Sequence, residues 1–362
     1  MLSFIEMLQV AIDNDASDVL IVAGQPLSYK KGKSIYTMEE EKVMPATSRA
    51  LVQEAYQIAN RDIAILDQAG DDDFAISVPN MARLRMCTFK QRGSLGAVLR
   101  VVSFGIPDYQ KLSIPEDVMN LSATQKGMIL VTGTAGSGKS TTLACIIDRI
   151  NHNRSGHIIT LEDPIEYLYR NDKSIVTQRE VGLDTSDYVM GLRACLRQAP
   201  DVILVGEMRD YETIQIAMTG AETGHLVFST LHTVGAVNTI DRIIDIFPPN
   251  QQQQLRVQLS MQLQTVVSQQ LVPSVDGGVV PVFEIMHVNP AIRNLIRESK
   301  AHQIETIMSM SADEGMVTMD NSLLDLVKQG RIAPETALHY SLHPDLMEKR
   351  LRQLKGRENN DR

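Results

Sequence analysis

The chain has 362 residues, 43% of them hydrophobic and 22% charged, with a formal net charge of −9. That length favours about two domains, and the apolar content is ample for a globular fold. The acidic balance, no Trp and only 4% aromatic residues argue against a nucleic-acid partner, which needs a basic face and stacking platforms.

Cys87, Cys145 and Cys195 are too few and too scattered for a disulfide framework or a Cys-x-x-Cys zinc element, and they suit a reducing cytosol. The start, MLSFIEMLQVAIDNDASD, has no basic region before its apolar residues and reads as an amphipathic helix rather than a signal peptide. Its Leu2, Ile5, Leu8 and Ile12 stand at helical spacing. No apolar run reaches the roughly 18 residues that span a bilayer, so a membrane role would go through a partner.

Further along, VLIV (19–22) reads as a strand ending before Gly24, and ATSRALVQEAYQIA (46–59) as a helix. FAISV and ARLRMCTF alternate as strands, with Leu84, Met86 and Thr88 on one face, and GSLGAVLRVV continues as another. Residues 1–103 thus form a small α+β domain. FGIPDYQKLSIPEDV (104–118) carries Pro107 and Pro115 without sustained periodicity and is expected to be a linker.

From Gly127 strands alternate with helices, the pattern of a parallel sheet with crossovers. MILVT (128–132), HIITL (157–161), VILV (202–205) and LVFST (226–230) are its expected buried strands. The chain beyond about residue 250 reads as helical. Residues 119–345 make the second domain, 346–362 a charged tail, and GRENNDR (356–362) an expected disordered end.

The chemistry concentrates in this second domain. GTAGSGKST, residues Gly133, Thr134, Ala135, Gly136, Ser137, Gly138, Lys139, Ser140 and Thr141, lies between a strand and a helix. This is the context a P-loop requires. Its glycines let backbone N–H groups turn inward on phosphates at a helix N-terminus. Lys139 is placed to reach the β- and γ-phosphates of ATP, and the Ser140 hydroxyl to bind Mg²⁺.

DVILVGEMRD (201–210) carries Gly206 where a Walker B aspartate is usual, leaving Glu207 at the strand end to orient the attacking water. In TLEDPIEYL (160–168) Glu162, Asp163 and Glu166 fall where parallel sheets bind ligands, placed to hold Mg²⁺ through water. In GHLVFSTLHT (224–233) His225 and His232 bracket a buried strand as candidate γ-phosphate sensors. Arg83, Arg85, Arg92 and Arg100 of the first domain are candidates to neutralise transition-state charge. Arg83 and Arg85 share one face of ARLRM by strand alternation, so spacing alone does not choose between those two.

The ordered set GTAGSGKSTT, LEDPIEY, VTQREVGLDT, ILVGEMRD, AETGHLVFSTLHT, TIDRIIDIFP and AIRNLIRESK resembles the PilT class of type IV pilus retraction ATPases within the secretion-ATPase superfamily. The resemblance implies an α/β fold, with a PAS-like α+β N-terminal domain joined to a RecA-like motor domain. It implies a cytoplasmic homohexamer that binds ATP and Mg²⁺ and works on an inner-membrane platform protein during twitching motility. A paralogous ATPase would be a possible companion, and nucleic acid would play no part.

Carried onto matching residues, the resemblance makes Glu207 the catalytic base, Glu162 the acidic-box carboxylate and a metal-side group with Ser140 and Glu207, and His225 and His232 the histidine box. It points to Arg85 and Arg100 as the N-domain arginines near the γ-phosphate. SDVLI lacks the histidine of the SDLHL of relatives, and LRQAPD, with Ala199, and QQLVP resemble the accessory PilU subclass. AIRNLIRESK departs from the PilT signature only at Ser299. Its Ile292, Leu295 and Ile296 make an apolar face, and its Arg293 and Arg297 are expected to serve coupling rather than folding.

Overall fold

The computed structural model describes residues 2–32, 34–78, 81–103 and 105–360. Two compact units emerge, Met1–Gly105 with Glu166–Tyr169, and Ile106–Ile165 with Arg170–Arg362.

The first unit runs α1 (Phe4–Asp13), β1 (Asp18–Ile21), β2 (Pro26–Lys31), β3 (Ser34–Lys42), α2 (Pro45–Ile58), α3 (Ala64–Ala69), β4 (Asp71–Val78), β5 (Ala82–Gln91) and β6 (Ser94–Ser103). Its six strands form an antiparallel sheet in the order β3-β2-β1-β6-β5-β4. A capping box starts α1: the Ser3 hydroxyl accepts from the Glu6 N–H while the Glu6 carboxylate accepts from the Ser3 N–H. The buried stripe of α1 is Phe4, Met7, Leu8 and Ala11. The expected Leu2–Ile5–Leu8–Ile12 face is therefore rotated, and Ile5 is exposed. A run that is apolar at most positions offers two overlapping faces, and packing chooses between them.

In β5 Leu84, Met86 and Thr88 are buried, and the Thr88 hydroxyl meets the Tyr56 phenol at 2.9 Å. Strands β2 and β3 have no counterpart in the sequence reading. β3 is exposed or half-buried along its whole length, and an edge strand without a buried face carries no period.

The second unit contains α4 (Glu116–Met119), β7 (Gly127–Thr132), α5 (Lys139–Asn153), β8 (His157–Glu162), β9 (Ile175–Glu180), α6 (Tyr188–Cys195), β10 (Val202–Val205), α7 (Tyr211–Glu222) and β11 (Leu226–Leu231). It continues through α8 (Ala236–Asp245), α9 (Pro249–Gln262), β12 (Leu263–Pro273), β13 (Val279–His287), α10 (Pro290–Arg297), α11 (Ile304–Met310), α12 (Met319–Lys328), α13 (Pro334–Tyr340) and α14 (Pro344–Asn360). Seven strands lie in the order β13-β12-β7-β11-β10-β8-β9, parallel except for β13. Every residue of β7, β10 and β11 is buried, as strands covered on both faces must be.

The chain beyond residue 250 is not all helical: β12 and β13 make an antiparallel hairpin through Ser274–Gly278. The turn residues of SVDGG in that stretch could have signalled it. Residues 106–118, expected as a linker, group with this unit. The Cys145 thiol donates to the Pro107 carbonyl at 3.3 Å, and Glu116 accepts from Arg149 at 2.6 Å. Residues 356–360, expected to be disordered, continue α14. The run MEKRLRQLK is rich in strong helix formers; Asp361 and Arg362 lie outside the described residues. Among the described residues, no helix is long and apolar enough to cross a membrane.

Candidate nucleotide site

Strand β7 ends at Thr132, paired with Leu231 of β11, and the glycine loop turns from there into α5. Gly133 has φ 144° and Gly138 φ 90°, the second of these at the N-cap of α5. A Cβ at Gly133 would strike the Gln269 carbonyl oxygen and come within 2.6 Å of the Ser137 hydroxyl. The bend therefore needs glycine for both conformation and space.

Within the loop, Thr134, Ala135 and Gly136 are exposed, while Ser137 is buried and its hydroxyl has no partner. Lys139 is 8% exposed, and its ammonium donates to the Gly133 and Thr134 carbonyls at 2.8 and 2.9 Å. Ser140 and Thr141 sit half-buried in the first turn of α5. An inturned loop, a buried lysine and an orphan hydroxyl at a helix N-terminus fit the phosphates of a nucleotide.

The other expected groups gather along the same carboxyl edge of the sheet. Val205 pairs with Leu161 on one side and Ser229 on the other, so Glu162, Glu207 and His232 leave adjoining strand ends. The Gly206 N–H donates to the Leu161 carbonyl at 2.7 Å, and the Thr230 hydroxyl to the Gly206 carbonyl at 2.6 Å. These bonds hold Glu207 between β8 and β11. Its carboxylate, 13% exposed, meets Arg209 at 2.5 Å and His232 Nε2 at 3.3 Å. Glu162 accepts from the Thr160 hydroxyl at 2.6 Å and from the Gln178 amide at 3.4 Å. Asp163 is exposed beside it, whereas Glu166 falls in the short segment grouped with the other unit.

His225 departs from the expectation. It precedes β11, its carbonyl accepts from the Gly127 N–H at 3.0 Å, and its Nδ1 lies 3.0 Å from the Gly220 carbonyl. It therefore marks the amino end of β11, roughly 23 Å from His232 at about 3.3 Å per residue. A phosphate bound at the P-loop of the same chain is out of its reach. The error lay in treating two histidines around one strand as one site, when a strand separates its ends by its whole length.

Three residues at this edge escaped the sequence reading. Arg209 pairs with Glu207 and lies two residues on in GEMRD, where nothing local in the sequence singles it out. Tyr188 starts α6, and a Cβ at Gly206 would lie 2.8 Å from its hydroxyl. Burial, and then the carboxylates of Glu207, Asp163 and Glu162, push the Tyr188 phenol above its ordinary pKa. The missing Walker B aspartate thus has a steric correlate, since position 206 faces a phenol. The third is Gln269 of β12, whose strand had been read as helix.

In the first unit Arg85 and Arg100 stand directly opposite each other on β5 and β6. Both are exposed, and Arg100 pairs with Asp18 at 3.2 Å. Like charges facing across a sheet are unfavourable, and the Asp18 carboxylate beside Arg100 offsets part of that cost. Arg83 shares the face of Arg85 and donates to the Ser77 hydroxyl at 3.1 Å, and Arg92 sits in the β5–β6 turn with φ 48°.

In α10 the sequence pattern held for Ile292 and Ile296, both buried. Arg293, expected to be dispensable for folding, instead donates to the Ser260 and Met261 carbonyls at 2.7 and 2.9 Å. It thereby caps the carboxyl end of α9. Arg297 is exposed.

Comparison with known proteins places these features in one lineage. The family model described as type II/IV secretion system protein matches residues 2–338. The type IV pilus retraction ATPase PilT of Pseudomonas aeruginosa is 40% identical over 94% of this chain and 98% of its own length. The type IV pilus ATPase PilU of the same species is 39% identical over 94% of this chain and 89% of its own. The crystal structure of the pilus retraction motor PilT with bound ADP superposes with a TM-score of 0.88 at 45% identity, covering 96% of this chain and 100% of that one.

Proposed function

Because the chain belongs to the type II/IV secretion system protein family, we propose that it is an ATP-hydrolysing motor subunit that drives type IV pilus retraction, and hence twitching motility, by pilus disassembly. The observation that carries this reading is the near end-to-end match to PilT, which includes the ADP-bound motor. The similar match to PilU leaves an accessory retraction subunit as the second reading within the same class.

Bound ATP with Mg²⁺ supplies the transferable phosphoryl group and a cation that neutralises its charge. Residues 133–141 cradle the phosphates with their backbone N–H groups, and Lys139 exchanges its two loop carbonyls for phosphate oxygens. Ser140 would offer its hydroxyl to the cation. Among the described residues no cluster of three or more His, Cys, Asp or Glu could hold a metal alone. Mg²⁺ commonly takes most of its ligands from phosphate and water, and Glu162 and Glu207 would act on it through water.

Glu207 orients the attacking water and takes its proton, and His232 fixes the carboxylate from the far side. Arg85 and Arg100 are the N-domain groups that neutralise transition-state charge during hydrolysis. His225 has no part in this chemistry within its own subunit. The working form is a cytoplasmic homohexamer, held at the inner face of the membrane by a platform protein and able to act beside a paralogous ATPase.

The test is deletion and complementation in the native host, scored for pilus retraction. Restored retraction by the wild-type chain, but not by the Glu207→Gln variant, supports a motor role. Normal retraction in the deletion strain would refute it. Parallel complementation of strains lacking PilT and strains lacking PilU separates the two readings.

A further inference from the structure

Gln269 is 3% exposed in β12, one residue beyond the pairing of Ser268 with Thr132, and so lies beside the first glycine of the P-loop. Three of its atoms meet the loop or its helix. Its carbonyl oxygen fills the space a Cβ would need at Gly133. Its side-chain oxygen accepts from the Thr142 hydroxyl at 2.7 Å, and Thr142 is fully buried in the first turn of α5. Its amide nitrogen would stand 2.8 Å from a Cβ at Gly138. Nearby positions of β12 are Val266, Val267 and Val272, all fully buried. Burying an amide among such residues costs about 1–3 kcal/mol unless its bonds are made, so its polar contacts are what justify it there.

The opposite face of the strand serves the other half of the site. The Ser268 hydroxyl accepts from the Gly235 N–H at 2.8 Å, and its cross-strand partner Glu284 accepts from the Ala236 N–H. Residues 233–235 form the connection that leads from His232 to α8. Adjacent residues of β12 therefore hold the phosphate loop on one side and the histidine loop on the other.

We infer that Gln269 is a positioning residue of the nucleotide site, which fixes the glycine bends and the first turn of α5 so that the loop N–H groups and Lys139 converge on the phosphates. The inference rests on the ATP-binding reading above. Its expected signature is a loss of nucleotide affinity out of proportion to any loss of stability, because a loop displaced by a fraction of an ångström still folds but no longer converges.

The experiment uses the full-length chain and titrates a fluorescent ADP analogue into wild type, Gln269→Leu, Thr142→Val and the double variant, with thermal unfolding of each without nucleotide. Each single variant should raise the ADP Kd about 5- to 20-fold, where tenfold is about 1.4 kcal/mol. Nucleotide-free melting should stay within about 5 °C. The double variant should bind no more weakly than the weaker single, because both changes remove the same bond. Single variants within twofold of wild type, or a double loss equal to the product of the singles, would overturn the inference while leaving ATP binding intact. Failure of the wild type to bind ADP would sink the reading of the site itself. If Gln269→Leu does not melt cooperatively, Thr142→Val alone decides by the same twofold threshold.

Discussion

Replacing Glu284 tests how the second unit holds its helices around the nucleotide edge. The side chain is 4% exposed, and its two oxygens accept from the Ala236 and Met319 N–H groups at 2.6 and 3.0 Å. One carboxylate thus closes the amino ends of α8 and α12. Hydrogen bonds to charged groups are worth about 1.5–3 kcal/mol each, and Glu284→Ala leaves both donors buried without a partner. The expected loss is about 3–5 kcal/mol. At about 2–4 °C per kcal/mol for a unit of this size, the melting temperature should fall by roughly 6–20 °C. Glu284→Gln keeps one acceptor and removes a buried charge, so its cost should be about 2 kcal/mol or less.

The pH dependence has a definite sign. Burial raises the Glu284 pKa, opposed by the two N–H donors and reinforced by Glu305 and Asp320. A carboxyl whose folded pKa lies above its unfolded value stabilises the fold below the unfolded pKa, and that stability is lost as pH rises through the folded pKa. Wild type should therefore lose ground to Glu284→Gln as pH rises above the ordinary carboxylate range and through the raised folded pKa. The assay is thermal unfolding at fixed protein concentration without nucleotide, since ligand and assembly both shift melting by mass action. An alanine variant within about 1 kcal/mol of wild type, or a wild-type–glutamine difference flat across pH, would refute the two-helix clamp.

Lys139→Ala should lower ATP affinity by about 10²-fold or more, as charge-assisted bonds to phosphate are lost; calorimetry showing wild-type affinity would contradict it. Glu207→Gln should bind ATP normally and hydrolyse it about 10²- to 10⁴-fold more slowly, and turnover within a few-fold of wild type would pass the role to Glu162. Joint replacement of Arg85 and Arg100 by Ala should cut turnover more than nucleotide binding, measured by steady-state kinetics beside ADP titration; unchanged turnover would move the role to Arg83 or Arg92. Arg293→Ala should cost about 1–2 kcal/mol in urea unfolding through the lost α9 cap. Arg297→Ala should leave stability alone, and it is the variant in which pilus retraction falling with ATPase activity kept would reveal coupling.

Strong local signals survived the passage from sequence to structure, and conditional ones did not. The P-loop was legible because its glycines, lysine and hydroxyl must occur at fixed spacing between a strand and a helix, and the loop stands there with Gly133 and Gly138 at positive φ. The four central strands were legible because burial on both faces writes an unbroken apolar run. Strand β12 was not, since LQTVVSQQLVP interleaves polar residues with valines. Gln269 and Ser268 are polar for reasons that lie on other elements, one on the P-loop and one on the turn before α8. Arg293 follows the same logic: its own helix marks it as a solvent-side residue, and only the end of α9, more than 30 residues earlier, gives it a structural task. The pairing of His225 with His232 went astray in the opposite direction, because a motif that looks compact in sequence spans a whole strand and leaves only His232 beside Glu207. Short-range chemistry can therefore be read along the chain. The residues that hold that chemistry in place are polar groups buried by distant partners, which no local pattern encodes.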